Sequence, residues 1–205
     1  MSIRLLAALA YLLPVTALAQ SLTPEQINQM IDKQMNDLDP YQELLNNPDP
    51  ARSLAAMEIM LESGDESLQR MALEYGLLSP NPTVKRIAFE TYLKTRPIFS
   101  IRFDGGHVKD SSWPSRMRDW NGTLDANGIG YWRIPVGDYH EDKRCFGESS
   151  YRPENCFVTV NSDGVFLTPY GMNARAVVTE TGALEGVATL DSVDEPVPFS
   201  IRLID

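Results

Sequence analysis

One short apolar phrase is written three times between residues 49 and 95. It reads AAMEIML at 55–61, MALEYGL at 71–77 and IAFETYL at 87–93, each copy 16 residues after the last. Ala56, Ala72 and Ala88 fall in register, as do Met57, Leu73 and Phe89, then Glu58, Glu74 and Glu90, then Leu61, Leu77 and Leu93. A fixed period of this size is the mark of stacked helices, each of which covers its apolar face against the next. Alanine at the same place in each copy lets neighbouring backbones approach. The glutamates are expected to face water.

The helix boundaries follow from local chemistry. Asp49-Pro50 and Asn81-Pro82 each place an Asx cap before proline at the first helical position, and Asp65 opens the middle helix after Ser63-Gly64. The two Asx-Pro starts are 32 residues apart. A two-helix period of that length, with proline near the helix starts, resembles HEAT-like or armadillo-like helical repeats over residues 49–95. The resemblance implies a protein-binding scaffold and brings no catalytic residues.

The first 19 residues read as a secretory signal peptide. Arg4 precedes an apolar run from Leu5 to Val15, and Ala17-Leu18-Ala19 is a small-x-small site, so cleavage is expected between Ala19 and Gln20. The run is too short and too interrupted by Pro14 to span a membrane, and no later segment approaches that length. The protein is therefore expected in the periplasm or outside the cell. Export also sets the redox setting for the two cysteines, Cys145 and Cys156. An oxidising compartment favours a disulfide between them. Two cysteines without histidine neighbours make a poor metal pair.

After the signal peptide, Thr23, Pro24 and Gln26 form a capping box, and Ile27, Met30, Ile31 and Leu38 recur at helical spacing. This predicts a helix over 24–38, stopped by Asp39-Pro40, and a short second helix over 41–45. Together they are expected to cap one end of the helical repeat.

Composition changes at Ile98. Helical period gives way to two-residue alternation with turn signals. Strands are expected at 98–104, 118–124, 130–136, 156–161, 165–168, 173–180, 184–190 and 198–204. Eight short strands joined by hairpins predict an antiparallel barrel or sandwich. The phrases FSIRF at 99–103 and FSIRL at 199–203 share a pattern, as neighbouring first and last strands of a closed barrel would. The fold class is α+β: signal peptide 1–19, α-helical HEAT-like domain 20–97, and an antiparallel β-domain with one disulfide over 98–205.

Function classes are narrowed mainly by missing patterns. The net charge of −10 argues against nucleic acid and anionic membrane surfaces as partners. There is no G-x-S-x-G, S-x-x-K, H-E-x-x-H, phosphate loop or dinucleotide fingerprint. His107 in DGGHVKD and His140 in GDYHEDK lie near carboxylates but lack the spacing of a metal or calcium loop. No catalytic residue, metal site or cofactor is expected. Among the aromatic residues, Trp120 and Trp132 share faces with apolar neighbours and read as core. Trp113, Tyr131 and Tyr139 are the candidate ligand or partner contacts. The expected function is an exported, non-catalytic interaction or scaffold protein of the bacterial cell envelope, with another envelope protein as partner. The alternative is a β-domain that binds a small ligand or glycan, and an envelope hydrolase comes third.

Overall fold

The computed structural model describes residues 22–149 and 153–204. The expected signal peptide and its cleavage point after Ala19 lie outside the described residues. The chain divides into two compact units, one ending at Asp37 and one running from Leu38 to Asp205.

The first unit is the N-terminal part of helix α1 (Pro24–Leu45). Its start is the expected capping box: the Gln26 amide donates to Thr23 Oγ1 (3.3 Å) and the Thr23 amide to Gln26 Oε1 (3.0 Å). Every residue from 22 to 37 is exposed.

The helix does not stop at Asp39-Pro40. Proline inside a helix removes one hydrogen bond and crowds the preceding turn, at a cost of about 3 kcal/mol. Yet α1 continues through Pro40 to Leu45. Packing at its end explains the difference. Leu45 is buried, and its carbonyl accepts from the buried Ser53 hydroxyl at 2.7 Å.

Three further helices follow: α2 (Pro50–Glu62), α3 (Glu66–Leu77) and α4 (Pro82–Lys94). Their first turns are capped by Asp49, Asp65 and Asn81, whose side chains accept backbone amides at 2.9–3.1 Å. Met57, Leu73 and Phe89 are buried, and Leu61, Leu77 and Leu93 are fully so. Helices α3 and α4 approach closely because residue 76 has no side chain. A Cβ there would lie 2.2 Å from that of Ala88.

The rest of the chain is a closed antiparallel barrel. Its eight strands are β1 (Ile98–Asp104), β3 (Ile129–His140), β4 (Cys145–Glu148), β5 (Cys156–Asn161), β6 (Gly164–Leu167), β7 (Met172–Val178), β8 (Ala183–Leu190) and β9 (Val197–Arg202). Each consecutive pair is hydrogen-bonded, and β1 closes the ring by pairing with both β3 and β9. Ile101 lies opposite Ile201, and Phe103 opposite Phe199. The two FSIR phrases are therefore neighbours across the closure, which leaves no open sheet edge between first and last strand.

One expected strand is absent and one was not anticipated. Residues 112–119 form helix α5 (Ser112–Asp119), and only Thr123–Leu124 of the region 118–124 is extended, as β2. Trp113, Arg116 and Met117 are buried on one face of α5, followed by Trp120 at its C-cap. That i, i+3, i+4, i+7 spacing is helical, and Pro114 is tolerated in the first turn. Strand β4 reads CFGE and is buried at all four positions, so it lacks alternation.

The barrel interior is filled. Phe103 packs edge-on against Trp113 (centroids 5.9 Å apart), nearly flat against Trp120 (5.7 Å) and obliquely on Phe199 (6.3 Å). Phe99 meets Phe157 edge-on at 5.9 Å. The expected disulfide between Cys145 and Cys156 is formed and ties the start of β4 to the start of β5. Among the described residues, no helix is long and apolar enough to cross a membrane.

Candidate functional site

Strand β3 is longer than any neighbour, and two partners share one of its edges. Strand β2 covers Gly130 and Tyr131, whereas the pairing with β4 starts at Val136. Between them lies a cleft of about 500 Å³. Trp120, Tyr131, Trp132, Arg133, Glu148 and Tyr170 contribute to its lining. Tyr131 (46% exposed) and Tyr170 (44%) stand at the rim, whereas Trp120 and Trp132 are buried. The indole of Trp120 is fixed by donating from Nε1 to the Tyr170 carbonyl at 2.9 Å. Next to it, Arg116 donates from Nε and Nη2 to the Asp191 carbonyl, with its guanidinium 5.6 Å from the Trp120 ring centre. The floor of the cleft is thus rigid, and its rim is aromatic and polar.

Of the three aromatic contacts expected from sequence, only Tyr131 belongs to this cleft. Trp113 is 2% exposed and is not a surface contact. Its Nε1 donates to the Gly128 carbonyl at 3.2 Å, and its ring fills the space left by two glycines. A Cβ at Gly105 would fall 2.5 Å from that ring, and one at Gly130 would fall 2.9 Å from it. Tyr139 is 41% exposed but leans on Phe146 (5.0 Å) and borders a separate depression with Arg86, Lys94 and Lys143. Tyr170 and Glu148 gave no sequence signal. They reach the cleft because the ring of strands brings the β4 end and the β6–β7 turn to β3.

The histidines serve loop geometry. His107 Nε2 lies 3.2 Å from the Pro196 carbonyl, and His140 Nε2 lies 2.7 Å from that of Pro153. Asp110 anchors α5: its carboxylate accepts the Ser112 amide (2.7 Å) and the Asp194 amide (3.2 Å). These hydrogen bonds, Ser112 first, hold its pKa below the ordinary carboxylate value of 3.8. Among the described residues, no three His, Cys, Asp or Glu side chains are grouped to hold a metal ion.

A second concavity lies on the helices of the larger unit. The end of α1 and the outer face of α2 enclose a groove of about 440 Å³. Tyr41, Leu44, Ala55, Ile59 and Leu68 are among its lining residues, and Arg52 is the one charged residue among those described there. Ile59 is 71% exposed, which is unusual for an isoleucine on a packed helix.

No protein-family model, curated protein or solved structure matches the chain.

Proposed function

We propose that this is an exported, non-catalytic interaction protein of the bacterial cell envelope that docks through its helical segment. The observation that carries the reading is the uncovered apolar groove between α1 and α2, with Ile59 at 71% exposure. An apolar groove left uncovered offers a partner's apolar side chains a place to be buried. The HEAT-like period over 49–95 supports the same reading, since such repeats commonly present a side face to another protein. The signal-peptide features of residues 1–19 and the Cys145–Cys156 disulfide support export. The proposed site is a docking face and requires no catalytic group.

The test is retention of an envelope protein by the immobilised chain, with Ile59→Asp as the control. A specific partner lost in Ile59→Asp supports the reading. Retention unchanged by Ile59→Asp, or no retained protein at all, counts against it.

A second reading is favoured by the barrel cleft. Two tyrosines at the rim of a rigid concavity suit a neutral sugar ring, which stacks on aromatic faces and hydrogen-bonds to flanking polar groups. Titration with a neutral oligosaccharide, followed by tryptophan fluorescence, tests this second reading. The cleft predicts saturable binding that Tyr131→Ala and Tyr170→Ala both weaken. A flat titration rules it out for that sugar class.

A further inference from the structure

We infer that the exposed stripe of α1 in one copy docks in the α1–α2 groove of a second copy, and that the exchange is reciprocal. This rests on the reading of the helical segment as a docking face and names its occupant.

The stripe is the first observation. Ile27, Met30, Ile31 and Met35 are 43–62% exposed, in a segment where every residue from 22 to 37 is exposed. At 100° per residue, these four side chains cover an arc of about 140°, while Glu25 and Asp32 point to the opposite side. Helices in proteins draw most of their stability from covering an apolar face, and this stripe lies uncovered. The stripe therefore needs a cover.

The groove has the matching shape. Ala55 and Ala56 lie in its lining, and small side chains there let a second helix approach to the usual 8–10 Å between axes. Tyr41, Leu44, Ile59 and Leu68 form apolar walls. Helix-in-groove recognition uses anchors at i, i+3, i+4 and i+8, which is how Ile27, Met30, Ile31 and Met35 are spaced.

Charge selects the same occupant. Residues 22–37 carry Glu25, Asp32 and Asp37 against Lys33, a net charge of −2. The one charged side chain described in the groove lining is the cation Arg52. An anionic membrane would repel the segment, whereas this groove attracts it.

Each copy offers one stripe and one groove, so two copies satisfy both surfaces and close as a two-fold dimer. Stripe-on-stripe pairing would leave both grooves open.

The experiment uses protein expressed from its full sequence. Light scattering is expected to give twice the monomer mass. Ile31→Asp and Ile59→Asp should each yield monomers with unchanged circular dichroism, and Arg52→Glu should weaken the dimer about tenfold. Mixing Ile31→Cys with Ile59→Cys under mild oxidation should give a cross-linked pair, and neither variant alone should do so.

Cross-linking of Ile31→Cys to itself would overturn the exchange in favour of stripe-on-stripe pairing. A monomeric wild type overturns the inference. If that monomer still retains an envelope protein through Ile59, the docking reading survives; if it retains none, both fail.

Discussion

Trp120 lies flat against Trp132, with ring centroids 4.2 Å apart and planes 9° from parallel. One residue follows α5 and the other lies in β3, so this stack joins α5 to the barrel wall. Removing either ring would leave a cavity that the rigid surroundings cannot close. Trp120→Ala is expected to cost about 3–5 kcal/mol, measured by denaturant unfolding. Trp120→Phe should cost less while abolishing the near-ultraviolet dichroism of the coupled indoles. A Trp120→Ala loss under 1 kcal/mol would mean that α5 is not anchored here.

Much of the barrel was legible because it obeys a period of two. The phrases at 99–103 and 199–203 place Ile101 and Ile201 on the inner face, and these residues meet across the closure. Strand β5 has the predicted bounds, Cys156–Asn161. What failed was where period alone misleads. RDWNGTL alternates, yet the buried set Trp113, Arg116, Met117 and Trp120 is helical. The helical face is hidden in the sequence because a charged residue, Arg116, sits in the middle of it, its guanidinium satisfied by a carbonyl 75 residues away. Pro40 reads as a stop in the sequence because the packing of Leu45 that carries the helix past it comes from the fold. The cleft was legible only at Tyr131. Its other members arrive from distant strands, and ring closure is what brings them together.

Gly76 gives a test of the helix packing that opposes propensity. Alanine in a helix is worth about 1 kcal/mol over glycine. Here, an added Cβ would sit 2.2 Å from the Ala88 Cβ and 2.7 Å from Met57 Sδ. Overpacking of this kind costs about 1–3 kcal/mol. Gly76→Ala should therefore lower the thermal midpoint, with Ala88→Gly partly restoring it in the double variant. A midpoint raised by Gly76→Ala would show that α3 and α4 can separate without penalty.

The disulfide closes a short loop, Cys145 and Cys156 standing 11 positions apart in the sequence. Chain-entropy arguments assign such a closure about 2–3 kcal/mol. Replacing both cysteines by serine should lower the denaturant midpoint by an equivalent amount, and dithiothreitol should do the same to the wild type alone. The barrel should still form, because β4 keeps its pairing to β3 and β5. Complete unfolding on reduction at 25 °C would contradict this estimate.

Asp110 supplies a pH signature for the start of α5. Its folded pKa lies below 3.8 because the amides of Ser112 and Asp194 favour the charged carboxylate. A depressed carboxylate pKa contributes stability above the unfolded value, and that contribution is lost as pH falls through the folded one. Asp110→Asn removes the titration while keeping one acceptor for the Ser112 amide. The stability difference between wild type and Asp110→Asn should be constant above about pH 5 and shrink below about pH 4, read from urea midpoints. An unchanged difference down to pH 2.5 would mean that the carboxylate is not held by these amides in solution.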